Sequence, residues 1–488
     1  MAEAKNAVGR CVLALDLGTT SVRALVVSEA GAVVGRARRP LSQQYPKPGW
    51  LEQDPLEFIK LATLVMQRAL ADAAIQPESV LGIGIVSQRS TAIAWDSATG
   101  EPLTPAIGWQ DRRNQERVDE LIALGIPINT LASATKFEWL LANDPATQRA
   151  ADAGRLRLGT PDVWLSDRLS GGASFVTDPG HAACTGLYDS GENSWWSVAL
   201  GLFGIEEAWL PKIVPTCAVV SETLPELLGR PLPLAARAGD QQAASFAQGI
   251  YRPGMAKLTL GTSAMLNLHV EKSAPTSLDG FYALPLWSFP DGGFASCIEG
   301  TVITAGSSIE WLVELGLLSR AEHLDELAGQ VEDSQGMMFV PALQGLGSPF
   351  LDPGAKGLLL GLTRGSGPGH IARAVLEGVS HRCVDLFECL PLTDDPLRVD
   401  GGLARSDLLM ASLADLSGRS LERAAESETT ALGAAYLAGI ATGVWTDGPD
   451  ALSSTQAPTR FEPALDPGAR DRVRTRWKEA LSRCLTSR

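Results

Sequence analysis

Two short stretches constrain this chain more than any others. Leu13–Ala24 (LALDLGTTSVRA) reads as an apolar strand, a carboxylate at Asp16, a tight turn through Gly18-Thr19-Thr20, and a second strand from about Arg23. Leu258–Leu266 (LTLGTSAML) repeats strand, Gly-Thr-Ser turn and strand in the other half of the chain. A buried strand ending on Asp and Gly collects an acid and several unpaired backbone N–H groups, a combination suited to a phosphate and its metal ion. Alone, such a hairpin is an ordinary turn. Two of them half a chain apart predict a duplicated architecture that binds a ligand.

The 488 residues exceed one hydrophobic core, so two or three domains are expected. A formal net charge of −15 with no basic patch argues against nucleic acid as a partner. No apolar run reaches the length of a membrane span, and the N-terminus lacks the apolar stretch of a signal peptide, so no membrane insertion and a cytoplasmic protein are expected. The seven cysteines are scattered without a CxxC pair, as expected of small buried residues in a reducing compartment.

The pattern between the hairpins mixes strands and helices. Asp54-Pro55 predicts a helix through about Ala74 with Asp54 as its cap. Val80–Val86 (VLGIGIV) has the continuous apolar run of a strand buried on both faces. Ser174–Gly186 reads as extended and turn-rich. Ala305–Leu318 reads as a helix that Gly316 weakens, with a stop near Leu315. Thr429–Thr442 reads as a helix of small residues.

Three further constellations carry chemistry. At Gly239–Ala244 (GDQQAA), Asp240 stands at the mouth of a helix, where it is either a plain cap or a base able to take a hydroxyl proton. In Leu397–Ser406 (LRVDGGLARS), a strand ends on Asp400 and two glycines follow, allowing close approach of a ligand or only a strand-to-helix turn. Ser87–Ser90 (SQRS) and Trp109–Arg113 (WQDRR) set polar groups beside an aromatic wall, as a polyol or sugar site requires, or form salt-bridge clusters.

Taken together, DLGTTSVRA, GIVSQRST with AWDSATGEPLTPAIGWQDRR, AGDQQAASFAQG, LTLGTSAML, EGTVITAGSSIEWL and VDGGLARSDLLMASLADLSG resemble, in order and spacing, the motifs of the FGGY carbohydrate kinases, with the glycerol kinases as the most similar branch. The match runs from Val12 to about Trp445. The resemblance implies an α/β fold of two actin-like ATPase (ribonuclease H-like) domains with an interdomain active-site cleft. They would be residues 1–245, carrying the substrate side and the catalytic Asp, and 246–488, carrying the nucleotide side. It implies ATP-dependent phosphorylation of a primary hydroxyl of a small polyol, glycerol to glycerol 3-phosphate foremost. A kinase for erythritol, ribulose or xylulose and a non-catalytic actin-like ATP-binding protein are the alternatives. Self-association as a homodimer or homotetramer is compatible with it.

The resemblance also assigns residues. Asp240 would be the general base, and Asp16 and Asp240 would hold Mg²⁺. Thr19, Thr20, Arg23 and Thr262 would lie by the phosphates. Gly306, Glu310, Gly402 and Ser406 occupy nucleotide-contact positions. Arg89, Ser90, Trp109, Asp240, Gln241 and Met265 fall on the acceptor side. Three departures stand out: Ser90 replaces a Glu, and Leu131 and Met265 replace aromatic residues. Losing a carboxylate that accepts substrate hydroxyls can alter which polyol is chosen.

Overall fold

The computed structural model describes residues 9–126, 128–271, 280–426, 428–446 and 457–486. Two compact α/β units emerge. The first comprises residues 1–249, 284–295 and 428–455; the second comprises 250–283, 296–427 and 456–488.

The first unit is built on a six-stranded sheet. β1 (Cys11–Leu17), β2 (Ser21–Ser28) and β3 (Val33–Pro40) form an antiparallel meander. β4 (Val80–Ser87) lies parallel to β1 on its other side. β5 (Cys217–Glu222) closes the far edge antiparallel to β6 (Pro233–Gly239), and β6 lies parallel to β4. The spatial order is therefore β5-β6-β4-β1-β2-β3. Strand alternation sends Leu13, Leu15 and Leu17 of β1 and Ile83 and Ile85 of β4 into one core, which they share with Phe58, Val65 and Met66 of α1 (Pro55–Ala73). Asp54 caps α1 as expected, its carboxylate accepting from Leu56 N–H at 2.9 Å. On the opposite face of the sheet lie Val12, Ala14 and Asp16, and Asp16 pairs in register with Arg23 of β2. α2 (Asp240–Ala247) follows β6 directly.

The second unit repeats this plan. β7 (Ala256–Leu260), β8 (Ala264–Val270) and β9 (Phe294–Val302) form the meander. β10 (Leu397–Asp400) is parallel to β7, β11 (Leu421–Arg423) is parallel to β10, and β12 (Thr459–Phe461) is antiparallel to β11. Both sheets thus share a meander, two parallel strands and an antiparallel edge, so the hairpin echo in the sequence reflects a duplicated topology. α3 (Gly306–Glu314) ends where Gly316 predicted, with Leu315 as cap and Gly316 at φ 72°. α4 (Pro368–Glu388) is buried along most of its length, with Val375, Val379 and Cys383 in the second core beside Leu409 and Leu413 of α5 (Asp407–Ser417).

α6 (Thr429–Ala441) returns to the first unit. It packs on β1, β2, β4 and β6 and on α2. Two glycines set that distance. A Cβ on Gly84 of β4 would lie 2.0 Å from the Ala434 carbonyl oxygen, and one on Gly433 would lie 1.8 Å from that of Ala243. The alternation in VLGIGIV therefore has two purposes: its isoleucines fill the α1 core, and its glycines admit α6.

One segment departs from expectation. Within the stretch 174–186, read as extended, Pro179–Cys184 is a short helix capped by Asp178, whose carboxylate accepts from His181 N–H at 3.0 Å. Six residues are too few for helical periodicity to register, and the Asp-Pro start resembles a turn.

Candidate active site

Three parallel strands of the first unit end side by side. β1 ends at Asp16-Leu17, β4 at Ser87 and β6 at Gly239, and Ser87 is in register with both Leu17 and Gly239. The carboxyl ends of parallel strands are where open α/β sheets bind ligands. Each strand delivers polar groups to this edge.

The first is the β1–β2 turn, closed by a hydrogen bond from Gly18 N–H to Ser21 O at 3.0 Å. Asp16 is buried just before it. Arg23 Nη1 lies 3.5 Å from Asp16 Oδ2 and 2.6 Å from Glu428 Oε2. Burial pushes the Asp16 carboxyl up to about 7; Arg23 opposes the rise, while Glu428 and Asp240 add to it. Thr20 is exposed at the turn tip. Thr19 is held on three sides: its hydroxyl accepts from Trp109 Nε1 at 3.0 Å, and its carbonyl accepts from Gln53 at 2.9 Å and Gln43 at 3.1 Å.

β4 delivers Gln88, Arg89 and Ser90. Gln88 donates to Gln53 Oε1 at 2.8 Å, and its own buried Oε1 has no partner among the described residues. Arg89 Nε lies 3.2 Å from Asp240 Oδ1. Ser90, at φ 66°, is buried with its hydroxyl 3.4 Å from the Cys184 carbonyl. Asp240 is the first residue of α2, and the cap position before it is Gly239. Its Oδ1 also accepts from Gln241 N–H at 2.8 Å. The structure thus gathers Asp16, Thr19, Arg23, Arg89, Trp109, Asp240 and Gln241 at one edge of one sheet.

Behind this edge lies a buried polar column. His181 Nε2 is 3.0 Å from Ser87 Oγ, and its Nδ1 is 2.9 Å from Asp178 Oδ1 and 3.7 Å from Asp162 Oδ2. Asp178 also accepts from Thr216 at 2.8 Å and Asp162 from Thr177 at 2.7 Å. The Trp109–Arg113 stretch divides. Trp109 reaches Thr19, whereas Asp111 and Arg113 form a structural ion pair at 2.9 Å, with Glu52 2.8 Å from the same Arg113 nitrogen.

The second unit presents its own turn. Gly261 N–H bonds Ser263 O at 2.9 Å, and α3 docks on this turn. Gly306 N–H donates to Gly261 O at 2.9 Å, and the amides of Ala305 and Ser307 both donate to Thr262 O at 3.1 Å. A Cβ on Gly306 would lie 2.5 Å from Gly261 O, which excludes any larger residue without a shift. Asp400 ends β10 buried, and Gly401 turns away at φ 97°, where a Cβ would meet Leu260 O at 2.3 Å. Gly402 has open space around it. Thr262 and Glu310 are exposed, and Met265 is half-buried, in register with Thr259 and Thr301. The Ser406 hydroxyl is engaged within the unit: it caps α5 by accepting from Leu409 N–H at 3.0 Å and donates to Asp325.

Sequence reasoning missed Glu428. It precedes a helix of small residues, and no local pattern ties it to Arg23. The exposed Leu131, at the position of a family aromatic, lies just ahead of the helix Ser133–Asn143.

A strand-turn-strand site in each unit fits a kinase, and the chain belongs to the FGGY family of carbohydrate kinases: the family's N-terminal domain matches residues 11–247 and its C-terminal domain residues 256–442. It is 41% identical to a glycerol kinase of Aromatoleum aromaticum, over 97% of this chain and 98% of that one. It is 40% identical, over the same shares of each, to glycerol kinase 2 of Thermotoga maritima. Among solved structures it is similar to Plasmodium falciparum glycerol kinase with ADP, with a TM-score of 0.90 at 28% identity, covering 98% of this chain and 99% of that one. The chain is accordingly a phosphotransferase acting on an alcohol. No described helix is long and apolar enough to cross a membrane.

Proposed function

We propose that this kinase transfers the γ-phosphoryl group of ATP to a primary hydroxyl of a small polyol, with glycerol as the acceptor. The observation that carries the reading is the Arg89–Asp240 pair at the carboxyl edge of the sheet, beside the Asp16–Arg23 hairpin. The names of the relatives, glycerol kinases at about 40% identity over nearly the whole chain, support the choice of acceptor.

In this reading the acceptor lies against Arg89, Ser90, Trp109, Gln241 and Met265, and Asp240 takes the hydroxyl proton as the oxygen attacks. Arg89 aims the Asp240 carboxylate through their 3.2 Å contact. Thr19, Thr20 and Arg23 bind the transferred phosphate, with Thr262 also on the phosphates. Gly306, Glu310, Gly402 and Ser406 are assigned to the nucleotide. Phosphoryl transfer proceeds through a loose transition state, so alignment and charge neutralisation dominate its rate. The carboxylates of Asp16 and Asp240 would offer oxygen donors suited to a hard divalent cation, and burial of Asp16 without a full counter-charge is the feature such an ion would relieve. Mg²⁺ held there would neutralise charge on the phosphates.

A second acceptor class, another polyol or a ketose, is favoured by one observation: the Ser90 hydroxyl points to the Cys184 carbonyl where a carboxylate would have accepted substrate hydroxyls. A coupled ADP-release assay over glycerol, erythritol, ribulose and xylulose separates the two. Glycerol should give the highest kcat/KM; a higher value for a larger acceptor replaces glycerol with that class.

A further inference from the structure

Lys136 lies on the helix Ser133–Asn143 of the first unit and is completely buried. Its ammonium reaches three backbone carbonyls: Ser90 O at 3.2 Å, Thr130 O at 3.0 Å and Leu131 O at 3.0 Å. No carboxylate lies within ion-pair distance of it among the described residues. An ammonium has three N–H donors and no acceptor, so the match to three carbonyls is one to one. Burial pushes the group down to about 7, the Asp111 carboxylate pulls it back up, and Arg113 opposes that pull. Charged groups are rarely kept buried without a carboxylate partner. What this one does is join two backbone segments that are remote in sequence.

Both segments matter to the acceptor side. Ser90 holds a left-handed backbone that non-glycine residues seldom adopt, and it directly follows Arg89, whose Nε touches Asp240. Thr130-Leu131 carries one of the three departures from the aromatic and acidic pattern of the family. We propose that Lys136 is a positioning residue for the acceptor alcohol: by clamping the Ser90 carbonyl it fixes where Arg89 meets Asp240, and by clamping Thr130 and Leu131 it sets the neighbouring wall. This rests on the phosphotransfer reading above. It makes acceptor affinity depend on a side chain that never touches the acceptor.

The test compares wild type with Lys136→Met and Lys136→Arg. Met keeps the length and apolar stem but has no donor; Arg keeps charge and donors. The expected result for Met is a rise of at least tenfold in KM for glycerol, with KM for ATP within twofold of wild type. Arg should recover part of that loss. Hydrogen exchange should accelerate in peptides spanning 87–92 and 129–133 and stay unchanged in the β1–β2 hairpin. Equal shifts in both KM values, or an unchanged KM for glycerol, would overturn the positioning role. Unchanged exchange at both segments in the Met variant would overturn the clamp itself, and that comparison needs no substrate. Should the Met variant fail to fold, the Arg variant decides: its exchange at the two segments should stay within threefold of wild type, and greater acceleration there counts against the clamp. A wild-type protein that phosphorylates no alcohol would instead defeat the functional reading.

Discussion

Arg89 and Asp240 meet at 3.2 Å because β4 and β6 end in register, Ser87 opposite Gly239, and each strand releases its next residues over the same edge. The pairing is backbone-determined. A Cβ on Gly239 would lie 2.8 Å from Arg89 Cδ, so the glycine before Asp240 keeps the approach open.

Asp240→Asn should lower kcat by about 10²–10⁴-fold, the range of general acid–base contributions. Nucleotide affinity should stay close to wild type. Steady-state kinetics together with calorimetric titration of ADP measures both, and a variant with near wild-type turnover would remove Asp240 from its assigned role.

Glu428→Gln releases Arg23 from its 2.6 Å partner and leaves Asp16, at 3.5 Å, as its carboxylate neighbour. Both members of the Arg23–Glu428 pair are about a quarter exposed, so the stability change should be under about 1 kcal/mol. Affinity for the nucleotide with its metal should fall severalfold, because Arg23 can then settle on Asp16. Calorimetric titration of the nucleotide with and without Mg²⁺ checks this: a loss confined to the Mg²⁺ arm is the expected outcome.

The His181 column predicts a stability profile with two limbs. Burial disfavours the imidazolium, but Asp162 and Asp178 outweigh it and hold the His181 pKa above its ordinary value. The stabilisation is therefore complete below about 6.5 and is lost as pH rises through the folded pKa. Burial likewise works against the Asp178 carboxylate, yet the His181 hydrogen bond and charge, with Thr216, bring its pKa below the ordinary range. That contribution is present above about 3.9 and disappears as pH falls through the folded value. Urea midpoints measured from pH 4 to 9 should decline at the alkaline end in wild type, and His181→Asn should flatten that decline.

Gly433→Ala tests the contact between α6 and α2. Helix propensity alone favours alanine by about 1 kcal/mol. The added Cβ would stand 1.8 Å from the Ala243 carbonyl, however, and overpacking of this kind destabilises by about 1–3 kcal/mol. A net loss of stability in denaturant titration, with a lowered kcat from displacement of the helix that starts at Asp240, is expected. A stabilised variant would show that the helices separate without strain.

Much of the site was legible in the sequence because its parts lie at strand ends, where an apolar run stops abruptly on Asp, Gly or Gln. Asp16 and Arg89 were readable that way, and so was the repeated hairpin, whereas Asp240 was readable as a carboxylate at the mouth of a helix. What was not legible depended on contacts remote in sequence. TTALGAAYLAGIA has helix-forming composition but no apolar stripe, since α6 is buried on nearly all sides, so periodicity could not say what it packs against. Glu428 was invisible for the same reason. The strand Tyr282–Ser288 contains Pro285, which reads as a strand breaker. The polar column joins Asp178 and His181 of one short capped helix to Asp162 of the helix Pro161–Leu169, and the two share no motif.

The return of α6 has a consequence for synthesis. A chain emerging from the ribosome completes the first unit's sheet once β6 is out, yet the face holding Val12, Ala14 and Gly84 stays uncovered until residues 429–441 appear. By then most of the second unit has already been made. The first unit to begin is thus among the last to finish, and the helix bearing Asp240 gains its packing against α6 at that closing step.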